Sequence, residues 1–122
     1  MKILVTGGAG YIGSHACKAL AAAGHQPVAY DSLLNGHEEA VKWGPLEVGD
    51  TRDRERVGEV LDRYRPDLVM HFAALAYVGE SMRAPADYYD VNIWGTLSLL
   101  QAMQARGINK FVFSSTCATY GV

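Results

Sequence analysis

Residues 1–13 read MKILVTGGAGYIG, and this stretch decides the fold. Its first part, Lys2–Thr6, is a short apolar run rich in β-branched side chains, which predicts a buried strand. Glycines follow at once, and beyond them small and apolar residues recur at helical spacing, at positions 12, 16, 19, 20 and 23. Gly24 is suited to end that helix. The stretch therefore predicts a strand, a tight glycine turn and a helix in direct succession.

The glycines fit a loop that binds phosphate. They match Gly-x-Gly-x-x-Gly from Gly8 and Gly-x-x-Gly-x-x-Gly from Gly7. Such loops need one glycine for the tight turn, one for close approach of the backbone to a pyrophosphate, and one for close packing of helix on strand. The N-terminus of the following helix offers free N–H groups to the phosphate oxygens. We therefore expect Gly7, Gly10 and Gly13 to help bind a dinucleotide.

An acidic residue stands where the ribose of such a dinucleotide would lie. Asp31 comes just after a second short apolar run, residues 27–30, and 18 positions after Gly13. The expected spacing for the ribose-binding acid is about 20 residues. A carboxylate there accepts hydrogen bonds from a 2′-hydroxyl and repels a 2′-phosphate. Ser32 follows, with no arginine close by in the sequence, so NAD is favoured over NADP.

Strand-like and helix-like segments alternate along the rest of the chain. Further short strands are predicted at 46–48, 68–70 and 110–114, and a long helix at 86–104. A helix ending near Tyr64 is expected to have Asp50 or Thr51 as its N-cap. This alternation is typical of an α/β fold, a doubly wound parallel sheet of the Rossmann type. We expect about five strands in the order 3-2-1-4-5, in one NAD-binding domain over residues 1–122.

Composition narrows the function classes. The 122 residues carry a formal net charge of −2 without a basic stripe, so nucleic acid is not expected as a partner. No apolar run approaches the ~18 residues of a membrane span. Cys17 and Cys117 lie far apart, which favours free thiols in the cytoplasm. The four histidines show no metal-ligand spacing, and we expect no metal site.

Several further stretches carry a resemblance, namely His71-Phe72-Ala73-Ala74, Val78-Gly79-Glu80-Ser81, Tyr88-Tyr89-Asp90-x-Asn92-x-x-Gly95-Thr96 and Phe113-Ser114-Ser115-Thr116. With the glycine loop and Asp31, they resemble the extended short-chain dehydrogenase/reductase family over essentially the whole chain, and its nucleotide-sugar 4-epimerases in particular. The resemblance implies NAD that takes hydride from C4 of a UDP-hexose, glucose or galactose, and returns it to the other face of a 4-keto intermediate.

The resemblance also implies roles for single positions. It places Tyr11 and Ile12 near the pyrophosphate. It places Asp31 and Asn35 near the ribose, and Asp50 and Thr51 near the adenine. The resemblance also implies that the cofactor is lined by residues after the fourth strand, Phe72, Ala73, Ala74 and Leu75, and by Asn92 on the long helix. Thr116 would be the catalytic residue that hydrogen-bonds the sugar's C4 oxygen. The long helix is apolar on several sides, and in the family it pairs with a partner subunit, so a homodimer is expected.

Two features depart from the family pattern. Ala76 stands where many relatives have lysine, and Ala76-Tyr77 resembles a branch that includes UDP-pentose 4-epimerases. The family's catalytic Tyr-x-x-x-Lys pair does not occur in the 122 residues. We therefore expect the N-terminal part of a longer enzyme, inactive alone, whose substrate domain lies beyond Val122.

Two other functions remain open. One is an NDP-sugar dehydratase, although Thr116-Cys117-Ala118-Thr119 lacks the acid usual in that class. The other is a non-catalytic NAD-binding sensor module. The residues that follow Val122 in the parent gene would separate an enzyme from a sensor.

Overall fold

The computed structural model describes residues 1–33, 37–72 and 93–113, which form a parallel sheet flanked by helices. In chain order the elements are β1 (Lys2–Thr6), α1 (Tyr11–Ala22), β2 (Gln26–Asp31), a 3-10 turn (Glu38–Ala40), β3 (Leu46–Val48), α2 (Arg54–Tyr64), β4 (Leu68–His71), α3 (Gly95–Ala105) and β5 (Phe111–Phe113). The five strands lie in the order β3-β2-β1-β4-β5, and every pairing is parallel. The predicted fold class and strand order are confirmed.

The central strand β1 has apolar side chains on both faces. Ile3 and Val5 pack with Cys17 of α1 on one face. Leu4 packs on the other face in a larger core that includes side chains of α2 and α3, among them Leu61. A parallel strand covered on both faces is a nearly continuous apolar run. This is the pattern from which the sequence predicts β1.

Helix α1 ends where the sequence predicts, but α2 begins differently. Gly24 has φ of +90°, a left-handed conformation that favours glycine just beyond a helix. The N-cap of α2 is Asp53, whose side chain accepts a hydrogen bond from the Arg56 amide. The expectation of Asp50 or Thr51 was therefore wrong. Three candidate caps stand within four positions, and propensity alone does not choose among them.

Helices α2 and α3 cover the same face of the sheet. Arg106, just beyond α3, donates from Nε to Asp62 of α2 over 2.8 Å. A side chain at Gly58 would press into the Arg106 guanidinium, so Gly58 allows the two helices to approach. Of the predicted helix 86–104, residues 86–92 lie outside the described ranges. No helix within those ranges has both the length and the apolar character to cross a membrane.

All five strands end at one edge of the sheet, because they are parallel. The order also makes β1 and β4 neighbours, so the chain crosses the sheet between them. Ligands of open α/β sheets bind outside the carboxyl ends of the strands at such a switch point. The fold thus selects the edge that carries the glycine loop and Asp31.

Candidate functional site

The loop after β1 is held tightly against the sheet and against α1. Gly7 has φ of +74°, and its amide donates to the carbonyl of Tyr30 on β2 over 2.8 Å. Any side chain at Gly13 would overlap the Gly7 carbonyl oxygen. The turn and the close helix packing that the sequence assigns to these glycines are therefore both present.

The N-terminus of α1 is open toward this edge of the sheet. Gly10 is its N-cap, and within the described part of the chain no side chain caps it. The first intrahelical bond is donated by the Ser14 amide to the Gly10 carbonyl over 2.9 Å. Tyr11 and Ile12 are exposed, at 81% and 54% of their surface. The first amides of the helix are thus placed to receive an anion, as a pyrophosphate requires.

Asp31 joins the glycine loop to the end of β2. Its side chain is buried, and its two oxygens accept from the amides of Ala9 over 2.9 Å and Leu33 over 2.7 Å. These charge-assisted bonds offset the desolvation of the carboxylate and fix its orientation. A carboxylate oxygen retains further acceptor sites when it is bonded once. The site can therefore accept ribose hydroxyls beside a phosphate loop, which fits an adenine dinucleotide.

Asp50 and Thr51 lie in the loop that follows β3, next along the edge. The Asp50 carboxylate binds Arg52 at 2.7 Å, and that hydrogen bond lowers its pKa. Thr51 is buried, and its hydroxyl lies where a side chain on Gly95 of α3 would otherwise stand. Both residues therefore line the same edge as Asp31, and their contact with adenine stays a prediction.

A buried histidine lies at the switch point between β1 and β4. His71 has no exposed surface, and its Nδ1 and Nε2 are within hydrogen-bond distance of the hydroxyls of Thr6 and Thr96. The centre of its ring lies 6.0 Å from the ring centre of Phe111 and 5.6 Å from that of Phe113. Burial lowers the pKa of His71 to about 4, so the ring is neutral near pH 7. His71 thus links β1, β4 and α3 beneath the site.

Of the residues predicted to line the cofactor after β4 and on the long helix, the structure describes only Phe72. Phe72 is half-buried, and its amide donates to the Thr6 carbonyl at 2.9 Å and to the Thr6 hydroxyl at 3.1 Å. Six predicted site residues lie outside the described ranges: Asn35, Ala73, Ala74, Leu75, Asn92 and Thr116. Their roles stay predictions.

Sequence reasoning missed three residues that support the site. Thr6, Tyr30 and His71 are buried polar side chains at or beside strand ends, and each hydrogen-bonds a neighbouring element. A polar residue at or near the end of an apolar strand is the sequence feature that could have indicated them. Its hydrogen-bond partners, however, depend on the tertiary fold. Within residues 1–33, 37–72 and 93–113, no group of three His, Cys, Asp or Glu could hold a metal ion.

Comparison with known proteins identifies close relatives. The family described as "NAD dependent epimerase/dehydratase family" matches residues 3–122. The UDP-glucose 4-epimerase of Rhizobium meliloti is 65% identical over 121 residues, which are 99% of this chain and 37% of that protein. The chain therefore spans a little over a third of the length of this relative.

Solved structures agree with this match. UDP-glucose 4-epimerase from Brucella ovis in complex with NAD superposes with a TM-score of 0.93 at 52% identity, over 99% of this chain and 37% of that one. The enzyme from Stenotrophomonas maltophila, with bound NAD and formylated UDP-arabinopyranose, has a TM-score of 0.93 at 45% identity, over 99% and 38%.

The buried state of His71 predicts a pH-dependent stability. The folded pKa of about 4 lies below the ordinary value of 6.5, so the unfolded chain binds the proton more tightly. Stability from this group is present above pH 6.5 and is lost as the pH falls toward 4. Between pH 7 and pH 5 we expect His71 to remove about 2 kcal/mol from the free energy of unfolding.

Urea unfolding of wild type and His71→Asn at the two pH values measures this effect. The variant starts less stable by about 1–3 kcal/mol at pH 7, through lost packing and a lost hydrogen bond, but has a shallower dependence on pH. An equal pH dependence in both proteins would contradict the assignment.

Proposed function

Since this chain belongs to the NAD dependent epimerase/dehydratase family, we propose that it supplies the NAD site for epimerisation at C4 of a UDP-sugar, interconverting UDP-glucose and UDP-galactose. The observation that carries the proposal is the Asp31 carboxylate bonded to the Ala9 amide of the glycine loop. Because of that bond, a carboxylate lies beside the loop that leads into the open N-terminus of α1, which supports ribose binding next to a bound pyrophosphate.

In this proposal the described residues would bind and orient the dinucleotide. The amides at the start of α1 would receive the pyrophosphate, and Asp31 would accept the hydroxyls of the adenosine ribose. The chemistry that NAD supplies when bound is reversible hydride transfer. Thr116 would hydrogen-bond the C4 oxygen of the sugar and so help place the proton that leaves that hydroxyl. The buried His71, neutral near pH 7, is not positioned as a general base, since Thr6 and Thr96 flank both its nitrogens.

A UDP-pentose is a second candidate substrate. Ala76-Tyr77 resembles the branch with pentose epimerases. A relative whose structure holds formylated UDP-arabinopyranose superposes on this chain with a TM-score of 0.93. These two observations favour testing UDP-pentoses beside UDP-hexoses.

A homodimer in the cytoplasm is part of the same proposal. An apolar stripe is formed by Ile93, just before α3, and by Leu97 and Leu100 on it; Trp94, the N-cap of α3, lies next to the stripe, and all four side chains are exposed. Exposed patches of this kind mark interaction sites. The widely separated cysteines support a reducing compartment, where UDP-galactose would enter galactose metabolism.

The cofactor preference follows from the charge of Asp31. We expect the protein to bind NAD at least about tenfold more tightly than NADP, because the buried carboxylate repels a 2′-phosphate. Asp31→Asn removes the charge with little change in shape and should narrow that ratio. Isothermal titration calorimetry with both cofactors measures it.

Asp67→Asn is the matched control. Asp67 accepts from the Lys2 amide over 2.9 Å at the opposite edge of the sheet, so the same loss of charge should leave the ratio unchanged. Equal affinity for NAD and NADP in the wild type would contradict the role of Asp31.

Epimerase activity should need more than these residues. Without a Tyr-x-x-x-Lys pair, residues 1–122 alone should give no turnover of UDP-galactose in a coupled assay with added NAD, since a positioned general base typically contributes ~10²–10⁴-fold. Fused to the remaining segment of the Rhizobium meliloti relative, the chain should become active. Thr116→Val should then lower kcat by about tenfold or more. Turnover by residues 1–122 alone, or an active fusion indifferent to Thr116→Val, would contradict this assignment.

Self-association is expected through the apolar stripe of α3. Sedimentation velocity should show a dimer, and Leu97→Glu should shift it to monomer, because a charge would be buried at the interface. Ala22→Glu is the control: it adds the same charge at an exposed position of α1, on the other face of the sheet, and should remain dimeric. A wild-type monomer at high concentration would rule this interface out.

A further inference from the structure

The loop after β3 runs beside the ribose-binding acid. Val48 pairs with Asp31 in the β2–β3 register, and the next amide, of Gly49, donates to the Asp31 carbonyl over 3.0 Å. Along this edge the glycine loop, Asp31 and the loop of residues 49–51 therefore lie in sequence. A dinucleotide with its pyrophosphate on the first and its ribose on the second would have its adenine over the third.

That third loop is anchored by a tyrosine from the core. Tyr30 is almost fully buried among apolar side chains that include Val28 and Leu61, yet its hydroxyl donates to the Asp50 carbonyl over 2.7 Å. The same carbonyl accepts from the Asp53 amide over 3.0 Å, which closes the turn leading into α2.

Among the residues that the structure describes, the hydrogen-bond partner of the Tyr30 hydroxyl is the Asp50 carbonyl. Phenylalanine would fill the same volume, and burying a hydroxyl without a partner costs free energy. Burial also raises the pKa of Tyr30, so the group stays a neutral donor. A side chain at Gly49 would overlap the Tyr30 hydroxyl, so the loop backbone rests directly against it. The hydrogen bond therefore sets how far the loop stands from the sheet.

We propose that Tyr30 is a positioning residue for the adenine end of the dinucleotide: its hydroxyl holds the Asp50 carbonyl and thereby fixes the loop of residues 49–51 beside Asp31. The proposal rests on the proposed NAD site. Tyr30 does not touch the ligand and acts only through the loop, so it should affect adenosine-containing ligands and no others.

Tyr30→Phe tests this role, with Tyr64→Phe as matched control. The Tyr64 hydroxyl also donates from a partly buried position, to Glu47 Oε2 over 3.1 Å. Glu47 lies on β3, before the loop, and keeps its hydrogen bonds to Arg56 and Arg63 when the Tyr64 hydroxyl is removed. Both variants lose one hydroxyl hydrogen bond and should lose similar stability. The readouts are the dissociation constants for NAD, ADP-ribose and nicotinamide mononucleotide, together with urea unfolding.

Tyr30→Phe should weaken NAD and ADP-ribose by about fivefold, as expected for one lost hydrogen bond, and leave nicotinamide mononucleotide unchanged. Tyr64→Phe should leave all three constants unchanged. Unchanged NAD affinity in Tyr30→Phe, or an equal loss for all three ligands, would overturn the proposal while the NAD site stands. A wild type that binds none of the ligands would instead overturn the proposed function, and this inference with it.

Hydrogen exchange gives a readout that does not depend on the variant's folding. In the wild type, ADP-ribose should slow exchange at the Asp53 amide, which shares the Asp50 carbonyl with Tyr30, and nicotinamide mononucleotide should not. Equal protection of that amide by the two ligands would contradict the placement of adenine over the loop of residues 49–51.

Discussion

The carboxylate of Asp31 accepts hydrogen bonds from the amides of Ala9 and Leu33, and this pair of bonds connects the features on which the proposed dinucleotide binding depends. A buried carboxylate is costly unless its charge is met by donors, so the bonds fix the glycine loop and the end of β2 relative to each other. In the proposed site, the spacing between the phosphate and ribose positions follows from that connection. Without it, the open N-terminus of α1 would be an anion site with no preference among anions.

The parallel sheet gives this connection its place. Because all strands run the same way, the loops after β1, β2 and β3 lie side by side, in the order that a dinucleotide would cross them. Polar groups buried just below the edge set the positions of these loops. Tyr30 reaches the loop after β3, while Thr6 and His71 tie β1 to β4 and to α3. The edge of the sheet that carries the candidate site is therefore held by hydrogen bonds from within the core.

The sequence was sufficient for the fold because the signals were local. Short apolar runs predicted all five strands, and the doubly wound pattern predicted their order. The predicted N-cap of α2 was wrong because Asp50, Thr51 and Asp53 are all acceptable caps. Which of them caps the helix depends on how the Asp50 carbonyl is held. The bonds of Tyr30 and His71 join residues at least 20 positions apart, so no periodicity reveals them.

The most direct test of the account is to observe where NAD binds along the sheet. In a two-dimensional NMR titration of the labelled chain with NAD, the account predicts that the largest amide shifts fall at Tyr11, Ile12 and Leu33, at the carboxyl edge. Shifts centred instead on Lys2, Gln26 and Asp67 at the opposite edge, or no saturable shifts at all, would contradict it.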